Sequence, residues 1–251
     1  MYIGYQLSSV TPYLQDVNSM REAFQKIAAI GYRDVQLQGA SLDIPDEEIA
    51  RALKKNGLNC VATQEDYPFG FGENPERYIA RAVTCGAKYL TFALIPREVD
   101  TAEKLVKFAE KIRALYDKVT AAGLIFTFHP ITPDFRRIGG VPVYERLMQL
   151  MPPDMQLTFC VFSAFGTEVT AEEVLERFKN RVDLVHFKDG IPDADGKMQL
   201  MPLGQGAHDW QGVFDLCKAA GVKYIFGEQE RWQKDAFDCA KDTHAYLGSL
   251  R

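Results

Sequence analysis

The chain alternates between two hydrophobic rhythms. Stretches with apolar residues three and four apart, the spacing of an amphipathic helix, give way to short runs rich in β-branched and aromatic residues. A glycine marks most of the changeovers: AAIGYRDVQLQ at Gly31, KKNGLNCVATQ at Gly57, TCGAKYLTFAL at Gly86, TAAGLIFTFHP at Gly123 and KAAGVKYIFGE at Gly221. Helices commonly end on a residue of positive φ, which glycine adopts without steric cost. Each of these junctions therefore predicts a helix end followed by a strand.

The first four glycines lie 26, 29 and 37 residues apart, and the 98 residues from Gly123 to Gly221 leave room for three more units. A helix expected over Val141–Met151 stops at Pro152-Pro153 and feeds the run Gln156–Val161. Another, over Ala171–Lys179, stops near Asn180, which tolerates the same backbone, and feeds Val182–Phe187. Strand starts are thus expected near Tyr2, Arg33, Leu58, Lys88, Leu124, Gln156, Val182 and Lys223. Thr101-Ala-Glu-Lys104 and Thr170-Ala-Glu-Glu173 read as helix starts.

Strict alternation permits an open doubly wound sheet or a closed barrel. Eight units without a long insertion match the barrel. No GxGxxG follows the first strand, where Ser8-Ser9-Val10-Thr11-Pro12 stands instead. The reading is α/β: one (β/α)8 TIM-barrel domain over residues 1–251, with its site at the C-terminal ends of the strands.

Composition adds exclusions. Hydrophobic residues make up 47% and charged residues 25%, as in an ordinary globular domain. A net charge of −5 argues against a nucleic-acid partner, which needs a basic footprint. No stretch approaches the roughly 20 apolar residues of a membrane span. Met1–Val10 does not read as a signal peptide, so the expectation is cytoplasmic. The five cysteines (Cys60, Cys85, Cys160, Cys217 and Cys239) contain no CxxC pair and suggest no disulfide framework.

Chemistry concentrates at the expected strand ends. The fifth run ends at His129, the sixth passes through Cys160, the seventh holds His186, Lys188 and Asp189, and the eighth ends in Glu228-Gln229-Glu230. His186 and Lys188 share one strand face, as do Glu228 and Glu230. Imidazole, thiolate and carboxylate together suit a transition metal such as Zn, Mn, Fe or Co, which makes His129, Cys160, His186 and Glu228 the expected ligands. Calcium and magnesium, which prefer oxygen, are disfavoured. Each residue also has a structural reading: His129 as a strand cap before Pro130, Cys160 as a small core hydrophobe, and His244 as a surface or packing residue on the last helix. Gln36, Gln38, Gln64 and Glu65 end the second and third strands and are expected to line the mouth, with His208 and Arg231 reaching it from loops. Arg136 and Arg137 could take an anion or be solvated. Tyr67, Phe69 and Phe71 could wall a sugar or fill the rim.

The series Val185-His186-Phe187-Lys188-Asp189, Pro202-Leu-Gly-Gln-Gly206, Asp209-Trp210 and Glu228-Gln229-Glu230 resembles the xylose isomerase-like TIM barrels, which include sugar-phosphate isomerases and epimerases. The resemblance runs over most of the chain. It implies one divalent ion held by a Glu, an Asp, a His and a second Glu from the fifth to eighth strands. By position His186 matches that histidine and Glu228 the second glutamate. His129 stands for the first glutamate, Cys160 for the aspartate, and Ser163 where a histidine often follows.

The expectation is therefore a metal-dependent isomerase or epimerase acting on a sugar, polyol or related derivative by proton transfer beside a carbonyl, with dehydration as a variant of the same chemistry. Glu228, His129 and Lys188 would be catalytic, and Glu65, Asp189, His208 and Arg231 substrate-binding. The alternative is a barrel that has lost the metal and binds carbohydrate or serves as a subunit. A nuclease would need more His, Asp and Glu ligands than four histidines and an acidic chain provide. A homo-oligomer is left open.

Overall fold

A computed structural model describes all 251 residues. Eight parallel strands close on themselves: β1 (Tyr2–Gln6), β2 (Asp34–Leu37), β3 (Asn59–Asp66), β4 (Tyr89–Ala93), β5 (Ile125–His129), β6 (Gln156–Cys160), β7 (Leu184–Phe187) and β8 (Tyr224–Gly227). Each pairs with its neighbours in sequence, and β1 pairs with β8 through Tyr2↔Tyr224 and Tyr5↔Gly227. Closure rules out the open sheet. The strands begin at, or one to two residues after, the positions the hydrophobic pattern marks.

The main helices are α1 (Val17–Ile30), α2 (Asp46–Lys55), α3 (Pro75–Thr84), α4 (Ala102–Ala121), α5 (Val143–Leu150), α6 (Ala171–Arg177), α7 (Trp210–Ala220) and α8 (Ala236–Ser249). The expected helix Val141–Met151 is shorter because Val141–Pro142 pairs with Arg137–Ile138 as a small hairpin. The junction glycines have positive φ, and so does Asn180, at 66°. Thr170 and Glu173 form the expected capping box, and Thr101 caps α4.

Two hydrophobic clusters lie between strands and helices. Inside the barrel, inward-facing residues stack in layers. Ala62, Tyr89, Leu184 and Phe226 fill the bottom, below which Tyr89 and Lys223 both donate to Asp183 at 2.8 Å. A Cβ at Gly4 would meet the Phe226 ring and the Asp34 carbonyl, so the lumen is closed there by ring against backbone. Above lies a hydroxyl layer in which Thr127 Oγ1 sits 2.8 Å from Thr91 Oγ1 and 2.6 Å from Thr158 Oγ1. The next layer up is ionisable. A second hairpin, Asp189–Pro192 with Met198–Met201, follows β7. No helix is long and apolar enough to cross a membrane.

Candidate active site at the barrel mouth

Even-spaced positions carry the upper layer. His129 follows Thr127 on β5, Cys160 follows Thr158 on β6, and His186 follows Leu184 on β7, so all three point into the lumen. Their donor atoms lie within 4.8 Å of one another, and the two imidazole centroids are 4.7 Å apart. All three side chains are buried. Burial drives both histidines down to about 3, so each is neutral at physiological pH. Burial likewise pushes the Cys160 thiol up to about 11.

Gln36 fixes the protonation of His186. Its carbonyl Oε1 lies 2.6 Å from His186 Nε2 and can only accept, so Nε2 carries the proton. Gln36 is held that way round because its amide donates to Gln64 and Thr91. Gln64 in turn donates to Gln38 Oε1, which also accepts from Gln6. This leaves a lone pair on His186 Nδ1, which faces Glu228 Oε2 at 3.5 Å. Both atoms are buried and have no hydrogen-bond partner, as are both ring nitrogens of His129. Ser8 donates to the other Glu228 oxygen at 3.1 Å.

Lys188 stands beside this group, donating to Glu230 Oε1 at 2.6 Å and lying 3.8 Å from Glu228 Oε2. Burial opposes its charge, but Glu228 and Glu230 outweigh that and hold it as an ammonium. Burial, reinforced by the charge of Glu228, raises the Glu230 carboxyl, and its Oε2 is buried without a partner. Leu94, at the end of β4, lines the same chamber with φ 69°. A non-glycine residue held there is strained, as is common where backbone serves a site.

The remaining expected residues divide. Gln36, Gln38 and Gln64 build the network above. Glu65 does not line the chamber over His129 but the wider one beside it, together with Arg81, and burial pushes it up to about 8 against the pull of that guanidinium. Asp189 is turned away from the substrate side. Its carboxylate accepts the backbone N–H groups of Gly190, Gly204 and Gly206 at 2.9–3.0 Å and anchors the Pro202–Gly206 loop. A Cβ at Gly206 would overlap that carboxylate. Asp189→Asn is expected to cost about 1–3 kcal/mol in urea unfolding by stranding a buried N–H. A variant as stable as the parent would show the anchor to be dispensable.

His208 stacks on Phe165 with centroids 3.5 Å apart and does not line the chamber. Arg231 lies beyond the end of β8 and is exposed. Arg136 and Arg137 bond Val99 O and Gly140 O, away from the lumen. His244 packs edge-on against Tyr32, as a packing residue should. Tyr67 packs on Phe108 and Phe71 is buried against Tyr78, whereas Phe69 is exposed. The chamber also contains Ser8, Asp66 and Glu230, which had not been singled out as site residues. For Glu230 the signal was present, since it shares a face with Glu228.

A closed (β/α)8 barrel with a buried His–Cys–His group at the C-terminal ends of β5 to β7, and Glu228 beside its second histidine, has the architecture of the enzyme-bearing TIM barrels. The chain belongs to the xylose isomerase-like TIM barrel family, whose profile matches residues 24–243. Among solved structures it is similar to a sugar phosphate isomerase/epimerase from Parabacteroides distasonis, with a TM-score of 0.85 and 17% identity over 100% of this chain and 95% of that one. It is also similar to 3-keto-D-glucoside 4-epimerase from E. coli, with a TM-score of 0.72 and 17% identity over 99% of both chains. The probable 3-DHS dehydratase of Bacillus anthracis gives a TM-score of 0.80 and 12% identity over 100% of both. At these identities the likeness is one of fold. Comparison with curated protein sequences gave no match.

Proposed function

We propose that the protein is a metal-assisted isomerase or epimerase that moves a proton on the carbon beside a carbonyl of a carbohydrate or polyol derivative. The observation that carries this is the pair of facing acceptors, His186 Nδ1 and Glu228 Oε2, 3.5 Å apart, buried and without a hydrogen between them. Two lone pairs so placed call for a cation, and the unpartnered nitrogens of His129 and the sulfur of Cys160 complete the donor set. The set fits a divalent transition ion of the zinc, iron, cobalt or manganese kind. His129, Cys160, His186 and Glu228 would hold it, with Cys160 shedding its proton to ligate. Bound there, such an ion would supply Lewis acidity toward the substrate's carbonyl and hydroxyl oxygens.

The chain's own groups supply the rest. Glu230, raised and with one oxygen free, takes and returns the carbon-bound proton. Lys188, held as an ammonium at 2.6 Å from Glu230, opposes negative charge growing on the substrate oxygen. Gln36 keeps His186 in the tautomer that offers Nδ1. Placement of the same groups supports epimerisation, isomerisation and dehydration alike, since all three begin with that proton.

Elemental analysis of purified protein tests the reading, together with wash-in of solvent deuterium into ketoses. The expected result is about one transition ion per chain, with affinity falling roughly 10–100-fold or more in His186→Ala. A cobalt-loaded sample should show thiolate charge-transfer absorption that Cys160→Ser abolishes. Protein that holds no ion and exchanges no proton on any ketose would end the proposal.

A further inference from the structure

Beyond the ends of β1 to β3 the mouth opens sideways into a second chamber. It encloses about 450 Å³, against about 210 Å³ for the chamber over His129 and Cys160. The two share Ser8, Gln38, Gln64 and Asp66 as common walls, so they adjoin. Small-molecule sites commonly run to about 300–1,000 Å³. The inner chamber alone falls short of that range, and the pair falls within it.

The side chamber is built rather than left over. Arg81, only 3% exposed, bonds Asp46 through Nε and the carbonyls of Ala40, Ser41 and Ile44 through its terminal nitrogens, which fixes the wall beneath the opening. Gln15 bonds Thr11 O and Gly39 O across the rim. Phe69 stands at the edge with its ring 74% exposed, although Tyr67 and Phe71 beside it are packed inward. Amide, hydroxyl and carboxyl groups of Gln38, Gln64, Ser41 and Asp66 line the interior. Glu65, pushed up to about 8 by burial, is largely uncharged at neutral pH and can both donate and accept.

Charge narrows the occupant. The cations lining the two chambers are Arg81 and Lys188. Every nitrogen of the Arg81 guanidinium is already bonded, and Lys188 is paired with two glutamates. A phosphate needs a free cation or a cradle of backbone N–H groups. Asp66 would repel it. An uncharged ring of hydroxyls, with an apolar C–H face to lay on Phe69, meets no such obstacle.

We infer that the side chamber is a subsite for a second, uncharged sugar ring, so that the substrate is a disaccharide or glycoside rather than a monosaccharide phosphate. The proposal rests on the proton-transfer reading for its orientation, with the carbonyl-bearing ring over Glu230 and the other ring beside Phe69.

Calorimetric titration of the full-length, metal-loaded protein with maltulose, lactulose, palatinose, D-fructose and D-fructose 6-phosphate tests it. At least one of the three ketose disaccharides should bind about tenfold or more tighter than D-fructose, a difference of about 1.4 kcal/mol, and the phosphate should give no gain. Phe69→Ala should cut the disaccharide-to-fructose affinity ratio roughly fivefold, since it removes the apolar face on which the second ring would lie. The exposed position should leave the thermal melt in place. If fructose binds as tightly as every disaccharide, or its phosphate binds more tightly than fructose, the subsite is overturned and the proton-transfer reading stands. If no sugar in the panel binds, the carbohydrate reading falls with it.

Discussion

Glu230→Gln is expected to lower turnover by roughly 10²–10⁴-fold while leaving the metal content of the protein unchanged. The side chain combines three properties a proton carrier needs. Its carboxyl is raised by burial and by the neighbouring Glu228 charge. One oxygen is tied to Lys188 at 2.6 Å, which fixes the orientation, and the other is buried and unpartnered within the chamber. Glutamine keeps the shape and the bond from Lys188 but cannot take a proton. Glu228→Gln should behave differently, because Glu228 faces His186 Nδ1 and serves the ion: there, metal content and turnover should fall together. Deuterium wash-in beside elemental analysis separates the two. A Glu230→Gln enzyme within tenfold of the parent would take proton transfer away from this residue and return it to Glu228 or His129.

The barrel was legible from the sequence because its signals are local and repeated. Each junction glycine needs only its own helix end, and each strand only its own apolar run. The inner wall was legible as far as alternation was applied. His186 and Lys188 share a face, and so do Glu228 and Glu230, and the structure puts all four side chains together. The same rule sorts the other expectations. Glu65 sits one residue from Gln64, which points inward to Gln36, so Glu65 leaves the inner chamber and lines the wider one beside Arg81. Asp189 follows Lys188 and is turned from the chamber, while Arg231 lies past the end of β8 and is exposed. His208 lies in a loop, where no alternation applies, and its stacking on Phe165 depends on how two distant segments meet. The glutamine ladder that sets the tautomer of His186 joins β1, β2, β3 and β7. No single segment announces it.

Replacing either buried histidine should remove an acid sensitivity of about 1.4 kcal/mol per pH unit, and replacing both about 2.7. Burial holds His129 and His186 at about 3 in the folded protein, whereas an unfolded histidine titrates near 6.5. Between those values the unfolded chain binds protons that the folded chain refuses. Their contribution to stability is therefore intact above about pH 6.5 and is lost as the pH falls toward 3. Four carboxyls work against them, Asp66 and Glu230 being raised by burial as Glu65 and Asp134 are. Burial pushes Glu65 up to about 8 and Asp134 up to about 7, so the folded state keeps protons that the unfolded state gives up, and stability is lost as the pH rises through those values. Near pH 5–6 the raised carboxyls and the buried histidines pull in opposite directions, so the parent profile alone hides both contributions. Urea unfolding between pH 5 and 7, with chelator present, exposes them in the variants. His129→Gln should gain on the parent as the pH falls, and Glu65→Gln should gain on it as the pH rises. If the His129→Gln and parent profiles run parallel, His129 titrates alike in the folded and unfolded chain, and burial does not hold it neutral.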